Sequence, residues 1–136
     1  MPSVVLDASA LLAYLRDEPG ADVVADEIAQ GAGIGTVNLA EVLSRAADHG
    51  ANPAELLEEM TARGVLDGAV AVEPLTIEDA VEIARLRPLT RAAGLSLGDR
   101  ACLALAHRLQ APALTADSAW SQAELAVEVR QIRQIR

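Results

Sequence analysis

"SVVLDASALLAYLR", residues 3–16, changes backbone type at an acid. Residues 3–6 are a short β-branched, apolar run that stops at Asp7, and residues 8–16 then carry Leu11, Leu12 and Leu15 at helical spacing. The reading is strand, acid, helix. "ALTAD", residues 113–117, is a second strand closed by an acid. Between these two, strands and helices alternate. Val23, Val24 and Ile28 mark a helix after the turn "DEPGAD", and "GAGIGT" (31–36) holds a short strand around Ile34. Thr36 or Asn38 is positioned to cap a helix reaching Gly50, with Leu39, Val42, Leu43 and Ala46 inward. Pro53 opens another helix over 54–63, since proline suits a first turn. "AVAVEPL" (69–75) alternates like a strand, and Thr76 with Asp79 starts a helix that Pro88 is expected to interrupt. Ser96 and Asp99 start the helix that ends near Pro112, and "AVEV" (126–129) reads as the last strand.

Strands separated by helices of about ten residues imply an α/β fold, here three α/β/α layers around a central, mainly parallel sheet. A length of 136 residues with 51% hydrophobic content suits one domain over 1–136. All 11 basic residues are arginines, against 20 acids, for a formal charge of -9, which opposes binding a polyanion unless something local offsets it. The single Cys102 excludes an internal disulfide, Asp7 interrupts the apolar start, and no uncharged run has the length of a membrane span. A cytoplasmic protein without membrane association is expected.

In a parallel sheet, ligands gather beyond the carboxyl ends of the strands. Asp7 and Asp117 each close a strand there, and Glu41 and Asp99 fall in first turns of helices at the same edge. Each has an ordinary alternative. Asp7 and Asp117 can cap the helices that follow them, Glu41 can answer Asn38, and Ser96 with Asp99 is a capping box. Together, four carboxylates in one cleft repel unless they protonate or hold a cation. Oxygen donors without a nearby Cys or His pair favour Mg²⁺ or Mn²⁺ over zinc, and such an ion most often works on phosphate oxygens. His49 and His107 are too far apart in sequence to suggest an acid–base pair, Cys102 and His107 lack zinc spacing, and the absence of lysine excludes a P-loop. Tyr14 and Trp120, the only aromatics, are too few for a stacking platform, so Arg85, Arg87, Arg91 and Arg100 are the candidates for substrate contact, with salt pairing as their alternative. The tail "RQIRQIR" reads as a solvated end that could also touch a substrate or a partner.

"VVLDASALLAYL", "TVNLAEVLSRA", "LSLGDRACLALA" and "ALTADSAW" resemble, in order, the motifs of PIN-domain ribonucleases, specifically VapC-type toxins of toxin–antitoxin pairs. The resemblance covers nearly the whole chain. It implies a metal-dependent nuclease site formed by Asp7, Glu41, Asp99 and Asp117. Ser9 matches the small hydroxyl residue after the first acid, a partner to the site or a water ligand. Asn38, one helical turn before Glu41, is placed either to orient it or to cap. Many relatives have a basic residue after the last acid, whereas this chain has Ser118. The resemblance further implies an RNA substrate, a VapB-type antitoxin, a homodimer and a toxin–antitoxin hetero-oligomer. Such antitoxins lay an amphipathic helix in a groove and reach the site with a basic residue; Leu11, Leu12, Leu15, Val23, Val24 and Ile28 are the candidate groove. A metal-dependent phosphatase, which would prefer small phosphoesters to RNA, and a catalytically silent binding module, which would bind metal without cleaving, are the competing functions.

Overall fold

Val4, Val5 and Leu6 form β1 (Val4–Leu6), the central strand, and all three are fully buried. An unbroken apolar run is what a strand covered on both faces requires. Val4 and Leu6 pack into one cluster, with Leu11 and Leu12, while Val5 points into another, with Leu103, Leu105 and Trp120.

The computed structural model describes residues 1–133. After β1 come α1 (Ala8–Leu15), α2 (Ala21–Gln30), β2 (Ala32–Gly35), α3 (Thr36–Asp48), α4 (Pro53–Ala62), β3 (Val70–Glu73), α5 (Ile77–Thr90), α6 (Leu97–Leu109), β4 (Ala113–Thr115), a 3₁₀ turn (Ser118–Gln122) and β5 (Val129–Gln131). Every strand pairing is parallel, in the order β3-β2-β1-β4-β5, with Leu6 opposite Ile34 and Leu114. The chain therefore builds outward from β1 on one side and then returns to its other side as β4. That reversal opens a crevice at the carboxyl ends of β1 and β4. Side chains of α1 to α4 fill the Val4/Leu6 cluster, and those of α5 and α6 the Val5 cluster, giving the three layers expected.

Four local expectations change. Gly35 occupies the cap position of α3 without a side-chain bond, and Asn38 lies inside the helix, 1% exposed, so it is not the cap. Pro88 sits within α5 rather than interrupting it. The N–H it lacks would have met the carbonyl of Ala84 on the helix's exposed side, where water can serve instead, and α5 ends two residues later. Asp117 lies two residues past β4 rather than closing it directly. The last strand is Val129–Gln131, displaced toward the tail because pairing with β4 sets Thr115 opposite Gln131. The described part of the tail is thus folded: Ile132 is buried, Arg130 bonds Glu128, and Arg133 donates to the Pro19 carbonyl. Residues 134–136 of that tail lie outside the described residues. No helix among the described residues is long and apolar enough to cross a membrane.

Candidate functional site

Asp7, Glu41, Asp99 and Asp117 line one cleft of about 140 Å³, together with Ser9, Leu12 and Arg45. The chain delivers them from four separate places: the end of β1, the second turn of α3, the first turn of α6 and the loop after β4.

Asp7 is the anchored member. It is 4% exposed and caps α1, accepting from the Ala10 N–H at 2.8 Å and the Ser9 hydroxyl at 2.7 Å on Oδ1, and from the Thr115 hydroxyl at 2.5 Å on Oδ2. Burial pushes its carboxyl up to about 6 from an ordinary 3.8, despite these three donors, and the charge on Asp99 adds to the rise. Thr115 also accepts from the Asp117 N–H at 3.0 Å, and Ser9 accepts from the Ala116 N–H at 2.9 Å. Two hydroxyls therefore bind the acid of β1 to the acid-bearing loop of β4.

Glu41 is half-buried, and burial followed by the charge of Asp99 raises its carboxyl, against a lowering hydrogen bond from Asn38. The Asn38 amide donates both to Glu41 Oε1 and to the Gly98 carbonyl, each at 3.0 Å. Asn38 therefore ties α3 to the start of α6 and turns Glu41 toward it, the orienting role of its two alternatives. Gly98 completes this contact: a Cβ at that position would overlap the Glu41 carboxylate.

Asp99 and Asp117 keep their capping roles. Asp99 Oδ2 accepts from the Ser96 N–H at 2.8 Å, and Asp117 Oδ1 from the Ala119 N–H at 2.9 Å. Each leaves its second oxygen without a protein partner among the described hydrogen bonds, so capping and ligation do not compete for the same atom. The cleft offers oxygen donors only, which fits a hard divalent cation. Among the described residues, no three His, Cys, Asp or Glu side chains are gathered tightly enough to hold an ion as they stand. Mutual repulsion of the carboxylates works against such gathering. Cys102, fully buried, has its thiol raised by burial and by the nearby charges of Asp7, Asp99 and Glu41, and stays an inert part of the core.

The arginines fall elsewhere. Arg100 is 7% exposed and donates to the Ile83 carbonyl at 2.9 Å, joining α6 to α5; it is not free to contact a substrate, which corrects the expectation. One residue after Asp99, the helix has already turned that side chain away from the cleft. Arg85 forms a two-pronged pair with Glu82, both bonds at 2.7 Å, and Arg87 and Arg91 are exposed; none of the three lines the cleft. The apolar groove also moves. Leu11, Val24 and Ile28 are core residues, while a groove of about 1010 Å³ runs between α1, α3 and α4, lined by Leu12, Tyr14, Leu15, Val42, Leu56 and Met60. Leu12 borders both groove and cleft.

Three site residues escaped sequence reasoning. Arg45 follows Glu41 by four, a spacing that places both on one helix face. Thr115 precedes Asp117 by two, as same-face residues do in a strand. Gly98, a poor helix former in a first turn, signals a close approach.

The PIN domain family model matches residues 4–125. No curated protein sequence matches the chain significantly. Solved structures similar to it include FitAcB from Neisseria gonorrhoeae, at 20% identity over 95% of this chain and 97% of that one, TM-score 0.71. A toxin-antitoxin complex from Klebsiella pneumoniae matches at 17% identity over 98% and 100%, TM-score 0.71. DNA-bound VapBC from Salmonella typhimurium matches at 12% identity over 97% and 99%, TM-score 0.71. At these identities the likeness is one of fold.

Proposed function

The chain belongs to the PIN domain family, and on that premise we propose that it is a VapC-type toxin, an endoribonuclease dependent on Mg²⁺ or Mn²⁺. The observation that carries this reading is the meeting of Asp7, Glu41, Asp99 and Asp117 in one cleft at the switch point of the sheet. These four would hold the ion. When bound, it lowers the pKa of a water and offsets charge on the phosphate under attack. The chain's own contribution is preorganisation. Ser9 and Thr115 fix Asp7, Asn38 orients Glu41, and the caps hold one oxygen each of Asp99 and Asp117 while leaving the other available. Water is the nucleophile in this reading, because the two histidines lie outside the cleft and neither can serve a ribose 2′-hydroxyl there.

Regulation follows from the groove. An amphipathic helix of a VapB-type antitoxin would seat its apolar face between α1, α3 and α4, and Leu12 makes the groove continuous with the cleft. A basic side chain at the end of that helix would compete with the cation for the carboxylates. The DNA-bound state of the Salmonella VapBC structure motivates a toxin–antitoxin assembly here, with a homodimer as its repeating unit.

Asp99→Asn separates ligand from cap. The substitution keeps a capping oxygen, so a purely structural Asp99 predicts about 1 kcal/mol of lost stability or less, with cleavage retained. A ligand role for Asp99 predicts a folded protein whose RNA cleavage falls by orders of magnitude. Near-normal cleavage would return Asp99 to the role of a cap.

A further inference from the structure

An acidic protein with an acidic cleft must still bring a polyanion to it, and the arginines expected to help do not line that cleft. Arg45 does. It lies on α3 one turn after Glu41, and its side chain is exposed. Glu41 four residues earlier would ordinarily take it as an ion-pair partner. Here Glu41 is turned inward, held by Asn38 and packed over Gly98. Arg45 consequently has no ion-pair or side-chain hydrogen-bond partner among the described residues, although its charge works against the rise of the Glu41 carboxyl. Six other arginines are occupied: Arg63 by Glu59, Arg85 by Glu82, Arg108 by Asp79, Arg130 by Glu128, Arg100 by the Ile83 carbonyl and Arg133 by the Pro19 carbonyl.

We propose that Arg45 is the substrate-binding residue of the cleft, its guanidinium taking the non-bridging oxygens of an RNA phosphate beside the one the acids address. A guanidinium suits this task because its planar fork can donate two parallel bonds to one phosphate. Its position solves the charge problem locally: one free cation sits at the rim of four acids, where it draws the backbone in without entering the donor set. The assignment rests on the nuclease reading.

The test is Arg45→Gln beside wild type and Arg45→Lys, with a randomised, short single-stranded RNA as substrate in Mg²⁺ at mildly alkaline pH. Four quantities are read: KM, kcat, the dependence of KM on salt, and Mn²⁺ affinity by electron paramagnetic resonance. Arg45→Gln should raise KM several-fold, leave kcat unchanged and Mn²⁺ affinity no weaker, and reduce the log–log salt slope by about 0.7, the value of one phosphate contact on a single strand. Arg45→Lys, which keeps the charge and loses the fork, should recover the slope and part of the KM. An unchanged KM and slope in Arg45→Gln overturn the assignment. A loss explained wholly by weaker Mn²⁺ binding also overturns it, making Arg45 a counter-ion to Glu41. Wild type that leaves RNA intact in Mg²⁺ and in Mn²⁺ fails the nuclease reading itself, which that arm alone detects, and takes the assignment with it.

Discussion

Removing the Asp7 charge should stabilise the metal-stripped protein while abolishing its activity. The Asp7 carboxyl titrates near 6 when folded against 3.8 ordinarily, because burial disfavours its charged form. Between those values the folded state binds the proton more tightly than the unfolded state. Stability therefore falls as pH rises through that window, and the full cost, about 3 kcal/mol, is present above pH 6. Asn at position 7 is neutral and escapes this cost. Its Oδ1 still accepts from the Ala10 N–H and the Ser9 hydroxyl, but its amide nitrogen meets the Thr115 hydroxyl, which then loses its acceptor. That mismatch at a fully buried hydroxyl costs about 1 kcal/mol. The net expectation is that Asp7→Asn is about 2 kcal/mol more stable than wild type well above pH 6, with the advantage disappearing as pH falls through the window. Urea denaturation in chelator, followed by fluorescence of the single, buried Trp120, measures both the difference and its pH slope. Added Mn²⁺ should narrow the gap by stabilising only the wild type. A variant of equal or lower stability above pH 6, with the wild-type pH slope, would refute the reasoning.

Gly98→Ala should favour α6 by helix propensity, yet its methyl group displaces the Glu41 carboxylate; cleavage is expected to drop roughly tenfold or more in a protein that still melts cooperatively. Unaltered turnover would show that the Glu41 position is not critical. Gly20→Ala should destabilise by about 2 kcal/mol or more, since Gly20 has φ +96° and a Cβ there would stand 2.8 Å from Ile132 Cγ1. Thermal denaturation reads it, and a wild-type melting temperature would mean that Ile132 is not seated against that turn.

The parts of this molecule that announce themselves in sequence are those where one residue type does one thing. Val4, Val5 and Leu6 followed by Asp7 can only be a buried strand meeting a polar edge, and the parallel sheet follows from the repetition of that unit. The four acids were legible for a related reason: each sits at or within two turns of a strand end or a helix start, and parallel topology carries those points to one edge. Roles set by neighbours distant in sequence were not legible. Arg100 reads as a surface cation until α5 is seen to cover it, and nothing in the spacing of Glu41 and Arg45 reveals that Asn38 and Gly98 hold the acid away from an ion pair. Leu11, Val24 and Ile28 read as a docking face because sequence periodicity cannot tell a helix stripe facing the core from one facing a groove. The last strand moved because β4, rather than local alternation, sets its register.

End-group analysis of RNA incubated with the wild-type protein tests the central claim most directly. With Mg²⁺ or Mn²⁺ present, the account predicts cleavage leaving 5′-phosphate and 3′-hydroxyl ends, lost in chelator and restored by either ion. Cyclic 2′,3′-phosphate ends produced at full rate in chelator would contradict it, because that chemistry uses the ribose hydroxyl and leaves the four acids without a task.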